Sequence, residues 1–125
     1  MSELPAIVAT YLRLAAARPR SDADAIAACF ADDAELLDEA QTRRERDAVR
    51  EWWRGTATAF EYTVDVRSMR AVDDDRYVVF TTLTGNFPGG TVDLAYRFTV
   101  RDGLIARLEI APPRDGELSE GEAVE

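Results

Sequence analysis

The sequence predicts an α+β fold, with helices from the first half packed on an antiparallel sheet formed by the second. Three observations carry this. Apolar residues recur at helical spacing up to Phe60. From Tyr62 onward the period falls to two: Tyr62, Val64 and Val66 alternate with Thr63, Asp65 and Arg67. The apolar runs that follow are divided by Asp73-Asp74-Asp75, Pro88-Gly89-Gly90 and Asp102-Gly103, which have hairpin-turn chemistry. A meander needs cover on its apolar face, and only the preceding helices can supply it.

The elements follow in order. Ile7, Tyr11 and Ala15 share one face of a first helix, with Val8 and Leu12 beside them, and Arg18-Pro19-Arg20 ends it. Ser21 reads as the N-cap of a second helix, with Asp24 three residues on. That helix carries Ile26 and Phe30 one turn apart and closes near Asp32-Asp33. Ala34 to Glu39 forms a short strand. Val49, Trp53, Thr56 and Phe60 mark the inner stripe of a third helix, with Trp52 at its edge. Long strands then run from Tyr62, from Arg76 to Phe87, from Thr91 to Arg101 and from Leu104 to Ala111. Val92, Leu94, Tyr96 and Phe98 face the helices, as do Leu104, Ala106, Leu108 and Ile110. Asp93, Arg97, Arg107 and Glu109 fall on the outer face.

Composition narrows the function. The chain has 125 residues, enough for one domain that buries roughly two-thirds of its unfolded surface. The domain is expected over residues 1–111. Residues 112–125, PPRDGELSEGEAVE, read as a flexible acidic tail. A net charge of −9 argues against nucleic acid and anionic membranes as partners. Histidine is absent, which removes Ser-His-Asp and Cys-His catalysis and His-based metal sites. All fifteen basic residues are arginine, so no lysine can form a Schiff base. The single cysteine, Cys29, reads as a buried thiol. No metal and no cofactor is expected. The N-terminus lacks the basic region of a signal peptide and no apolar run is long enough to span a bilayer, so the expected location is cytoplasmic.

The chemistry concentrates between Ala28 and Gly55. Leu36-Leu37 leads into Asp38-Glu39, and the paired tryptophans follow on a helix. An acid entering a greasy pocket on a short strand is raised in pKa by desolvation, which suits proton abstraction near neutral pH. Asp38 is the candidate base. Glu39 points the opposite way on a regular strand. Trp53, on the inner stripe with Val49, is a candidate to shape the pocket, and so are Tyr62 and Tyr96, because a buried phenol needs a polar partner that a ligand can provide. Asn86 and Phe87 are candidate ligand contacts. The arginines at 43, 44, 46, 50 and 54 read as a solvated helix face, with Asp47 and Glu51 at pairing distance.

The chain resembles the nuclear transport factor 2-like superfamily from about Ile7 to Ala111, and within it the SnoaL-like group related to polyketide cyclases and steroid isomerases. The likeness is carried by Phe30-Ala31-Asp32-Asp33-Ala34, Asp38-Glu39, Arg46-Asp47-Ala48-Val49 leading to Trp52-Trp53, Gly85-Asn86-Phe87-Pro88-Gly89, Tyr96-Arg97-Phe98 and Asp102-Gly103-Leu104-Ile105. It implies a cone: three N-terminal helices on a strongly curved antiparallel sheet, a cavity between them, and homodimerisation through the outer sheet face. In the steroid isomerase branch a carboxylate at the end of the short strand shuttles a proton, and Asp38 matches it. A first-helix tyrosine binds the developing oxyanion, and Tyr11 matches when the Pro19 region is an insertion. The supporting phenols of that branch fall on Phe30 and Trp53, and its protonated acid falls on Ala95. The acid of the epoxide hydrolase pattern falls only on Glu109, on the outer face.

Two functional classes follow. One is a cofactor-free general-base enzyme (an isomerase, cyclase or dehydratase) acting on a small, mostly apolar carbonyl compound, with Asp38 and Tyr11 catalytic and Trp53, Tyr62, Tyr96, Phe30, Asn86 and Phe87 forming the pocket. The other is a non-catalytic protein that binds an apolar or amphipathic molecule or serves as a dimeric scaffold.

Overall fold

A computed structural model describes residues 5–17, 21–38, 41–55 and 61–114. Three helices, α1 (Ala6–Ala16), α2 (Ala23–Ala27) and α3 (Arg46–Arg54), accompany six strands: β1 (Phe30–Asp38), β2 (Gln41–Arg44), β3 (Tyr62–Asp73), β4 (Arg76–Gly85), β5 (Thr91–Arg101) and β6 (Leu104–Ala111). The strands form one sheet in the order β2-β1-β6-β5-β4-β3. The meander β3-β4-β5-β6 is antiparallel throughout. β1, however, joins β6 in parallel, so the sheet is mixed. The third helix follows two strands instead of preceding the sheet.

The turn after β5 forms as its chemistry requires. Asp102 and Gly103 take φ of 55° and 79°, the left-handed pair of a tight hairpin that Asp-Gly tolerates. The second helix is shorter than its sequence pattern suggests. Asp22, not Ser21, caps it by accepting a hydrogen bond from the Ala25 amide. The Ser21 hydroxyl instead donates to the Leu14 carbonyl and ties the end of α1 to the start of α2. The chain leaves helix at Ala27, and Phe30 already belongs to β1. Between Phe30 and Glu35 the β1–β6 register slips. There Arg46 donates through Nε and Nη2 to the Phe30 carbonyl, at 3.0 and 2.7 Å, while Nη1 reaches Asp32 at 2.8 Å. The arginine thus serves a backbone acceptor at the irregular start of the strand.

The helices cover one sheet face. Val8 and Tyr11 of α1, Ile26 of α2 and Val49 of α3 pack with Leu36, Phe98 and Leu108 in a single core. Tyr11 meets Phe30 and Phe98 edge-on, with ring centroids 5.8 and 5.9 Å apart. Cys29 is buried at the edge of this core, and burial pushes its thiol pKa up. A second register shift, between Thr99 and Val100, changes the phase of β6. Ile105 therefore lies buried with Leu108 and Ile110, while Leu104 is only partly covered. The outer face holds a smaller apolar cluster, Val78, Phe80 and Ala95, with the Arg70 guanidinium 5.8 Å from the Phe80 ring.

The arginines around α3 are engaged as a solvated face: Arg44 with Glu35, Arg50 with Asp24 and Asp47, Arg54 with Glu51. Thr56 and Phe60, expected to extend the third helix, lie outside the described residues, as do Glu39 and residues 115–125 of the acidic tail. No helix among the described residues is long and apolar enough to cross a membrane.

Candidate functional site

The register of the sheet decides where Asp38 points. Asp38 pairs with Ile110, and Ile110 pairs with Tyr96 across β6 and β5. Directly opposed residues share a face, so these three side chains line up on the side covered by helices. Glu109 sits one residue out of phase, opposite Arg97 and 3.9 Å from Arg107. Its carboxylate therefore belongs to the outer face, although its segment borders the cavity described next.

That cavity has a volume of about 710 Å³. Asp38 enters from the last position of β1. Tyr62 comes from the first position of β3, Leu83 from β4, Phe87 from the β4–β5 turn, Leu94 from β5 and Ile110 from β6. Its described walls are largely apolar, and no arginine is among them. The space lies within the range typical of small-molecule sites.

Asp38 is half-buried. Its Oδ2 accepts a hydrogen bond from the Trp52 indole Nε1–H at 2.8 Å. Among the described residues it has no guanidinium partner. A carboxylate held by one neutral donor keeps unused acceptor sites for a ligand. The two tryptophans thus divide differently from the expectation. Trp53, expected at the pocket, donates its indole N–H to the Ser21 carbonyl at 2.8 Å and is buried in the core. Trp52, expected at the helix edge, is buried too and holds the acid. Three and four residues after Val49, both tryptophans share its face, and spacing alone does not say which one reaches the acid.

The remaining expected residues separate into groups. Tyr62 and Phe87 line the cavity with Asp38. Phe30 lies fully buried in the core. Asn86 works as a turn clamp: its Oδ1 accepts from the Glu61 amide, and its own amide donates to the Glu61 carbonyl. Together with the Gly85 amide, which donates to the Gly90 carbonyl, this fixes the start of β3 against the β4–β5 turn.

Tyr11 and Tyr96, expected at the pocket, are not among the residues that line it and pack against each other in the core. Their ring centroids are 6.5 Å apart, and the side chains are 1% and 5% exposed. Neither hydroxyl has a hydrogen-bond partner among the described residues. Burial raises both phenol pKa values well above their ordinary range. Tyr62 and Asp38 add to the effect on each, and Tyr96 adds to that on Tyr11. The three phenols and the acid therefore share one electrostatic neighbourhood. No group of acidic or thiol side chains suited to a metal ion occurs among the described residues.

Comparison with known proteins places this geometry. The model of the SnoaL-like domain matches residues 8–108. A candidate polyketide cyclase from Sinorhizobium meliloti has a similar structure, with TM-score 0.77 and 37% identity over 86% of this chain and 95% of its own. A protein with a ketosteroid isomerase-like fold from Catenulispora acidiphila, solved with trimethylamine, has TM-score 0.74 and 18% identity over 96% of this chain and 95% of its own. SalBIII, an epoxide hydrolase/cyclase-like enzyme in pyran ring formation in salinomycin, has TM-score 0.71 and 24% identity over 86% of this chain and 88% of its own. No protein of curated function matches the chain.

Proposed function

The chain belongs to the SnoaL-like domain family, and on that premise we propose that its cavity binds a small, mostly apolar carbonyl compound on which Asp38 acts as a cofactor-free general base. The observation that carries this reading is the Asp38 carboxylate, half-buried at an apolar cavity and held by the Trp52 indole without an ion-pair partner among the described residues. A base so placed can take a proton from carbon beside a carbonyl and return it elsewhere, which is the elementary step of isomerisation and of carbon-based cyclisation. Tyr62 lines the same cavity and can donate to the developing oxyanion. The kinship with a candidate polyketide cyclase supports the substrate class.

The test is proton exchange. A small apolar ketone incubated with the protein in D2O should exchange its α-protons faster than in buffer, as read by NMR. Asp38→Asn should abolish the acceleration while still binding the ketone. Binding by the native protein without exchange would instead assign the chain as a non-catalytic binder. Homodimerisation through the outer sheet face belongs to the same proposal. Sedimentation measurements over a concentration series test it.

A further inference from the structure

We infer that the cavity selects molecules carrying a positively charged amine on an apolar body. The inference rests on the cavity's being a ligand site and is independent of the reaction proposed above. The chain has fifteen arginines, yet none is among the described residues lining the cavity. The described charged residues bordering it are both acids, Asp38 and Glu109. Glu109 is opposed by Arg97 and approached by Arg107 on the outer face. Asp38 has only the neutral Trp52 donor, so its charge acts on the cavity without a fixed counter-ion among the described residues.

Three physical consequences converge. A partly desolvated carboxylate without a cation gains most from a ligand that brings one. A concave site lined by one sign of charge with low-dielectric walls concentrates ions of the other sign, and the net charge of −9 acts in the same direction. Tyr62 and Phe87 supply aromatic rings at the same cavity, and such rings attract alkylammonium groups. Carboxylate- and phosphate-bearing molecules of the same size meet the opposite field. The bulk of the ligand remains apolar, because the other described wall residues, Leu83, Leu94 and Ile110 among them, are apolar.

Three probes of one skeleton test this: naphthylmethyl-trimethylammonium, naphthylmethanol and naphthylacetate. Titration calorimetry on the full chain at low salt should rank them ammonium, alcohol, carboxylate. The ammonium should bind about tenfold or more tightly than the alcohol, the scale expected of a desolvated ion pair with a ring contact. Asp38→Asn should bring ammonium and alcohol close to equal affinity. If the alcohol binds as tightly as the ammonium to the native protein, the amine preference is overturned while the ligand cavity stands. If none of the three binds, the ligand-site reading itself falls. The ranking on the native protein decides the matter even if the variant does not fold.

Discussion

The Trp52 indole donates its N–H to Oδ2 of Asp38 at 2.8 Å, joining the third helix to the last residue of the first strand. Among the described residues, this contact orients the one acid that lines the cavity on its helical side. Trp52→Phe keeps most of the buried surface and removes the donor. Hydrogen bonds to charged groups contribute about 1.5–3 kcal/mol, so urea unfolding should show a loss of that size. Trp53→Phe removes a donor to a neutral carbonyl and should cost only about 0.5–1.5 kcal/mol. The larger loss for Trp52 is the expected order.

Asp38→Asn separates folding from chemistry. The side-chain amide oxygen can still accept from Trp52, so the melting temperature should fall by only a few degrees, roughly the effect of 1 kcal/mol in a domain of this size. Proton exchange on the bound ketone should fall by about 10²–10⁴-fold, the usual contribution of a positioned base.

Arg46→Met tests the irregular start of β1. The variant leaves the Phe30 carbonyl without its two guanidinium donors, and about 1–3 kcal/mol of stability should be lost. Asp32 is exposed, so Asp32→Asn should change stability by about 1 kcal/mol or less, as expected of a surface ion pair. Equal losses in denaturation midpoints would mean that the ion pair, not the carbonyl contact, holds the strand.

The buried phenols set an alkaline limit. Tyr11 and Tyr96 have folded pKa values raised above the ordinary 10.0. Above that pH the unfolded chain releases protons that the folded chain keeps. The unfolded state then binds fewer protons, so stability falls as pH rises. The contribution is complete below about pH 10 and declines from there upward as pH approaches the raised folded values. Urea midpoints measured from pH 9 to pH 11 should drop, and Tyr11→Phe with Tyr96→Phe should flatten the drop.

Gly85→Ala tests how closely the strands approach near Tyr62. A Cβ at Gly85 would sit 2.2 Å from the Glu61 carbonyl oxygen and 2.7 Å from Tyr62 Cβ. The backbone must shift, at a cost of about 1–3 kcal/mol, and ketone affinity should weaken because Tyr62 lines the cavity. Unfolding and calorimetry on the same variant report both.

The local parts of this architecture were legible because the signals that encode them are local. Asp102-Gly103 placed the turn between β5 and β6, and both strands begin and end where their alternation predicts. The position of Phe30 four residues after Ile26 imitates a helical turn, and nothing nearby says that it pairs with Ile105. Parallel pairing of β1 with β6 joins residues some seventy positions apart, which no short window carries. The slip between Thr99 and Val100 likewise moved Ile105 into the core against its alternation. At the site, Asp38 could be singled out as an acid after apolar residues, and Tyr62 and Phe87 as aromatics near a turn. The exchange of roles between Trp52 and Trp53 could not, because it depends on how α3 rotates against β1.

The parallel pairing of β1 with β6 has a consequence for how the molecule is made. Asp38 lies in the first third of the chain, yet its neighbour Ile110 is among the last residues of the final strand. During synthesis the helices and the hairpins of the meander can form as they leave the ribosome, but the sheet neighbour of the acid on the β6 side is missing until that strand emerges. A nascent chain stalled before Leu104 should therefore be protease-sensitive around Asp38, and the cavity comes into being only once β6 has emerged.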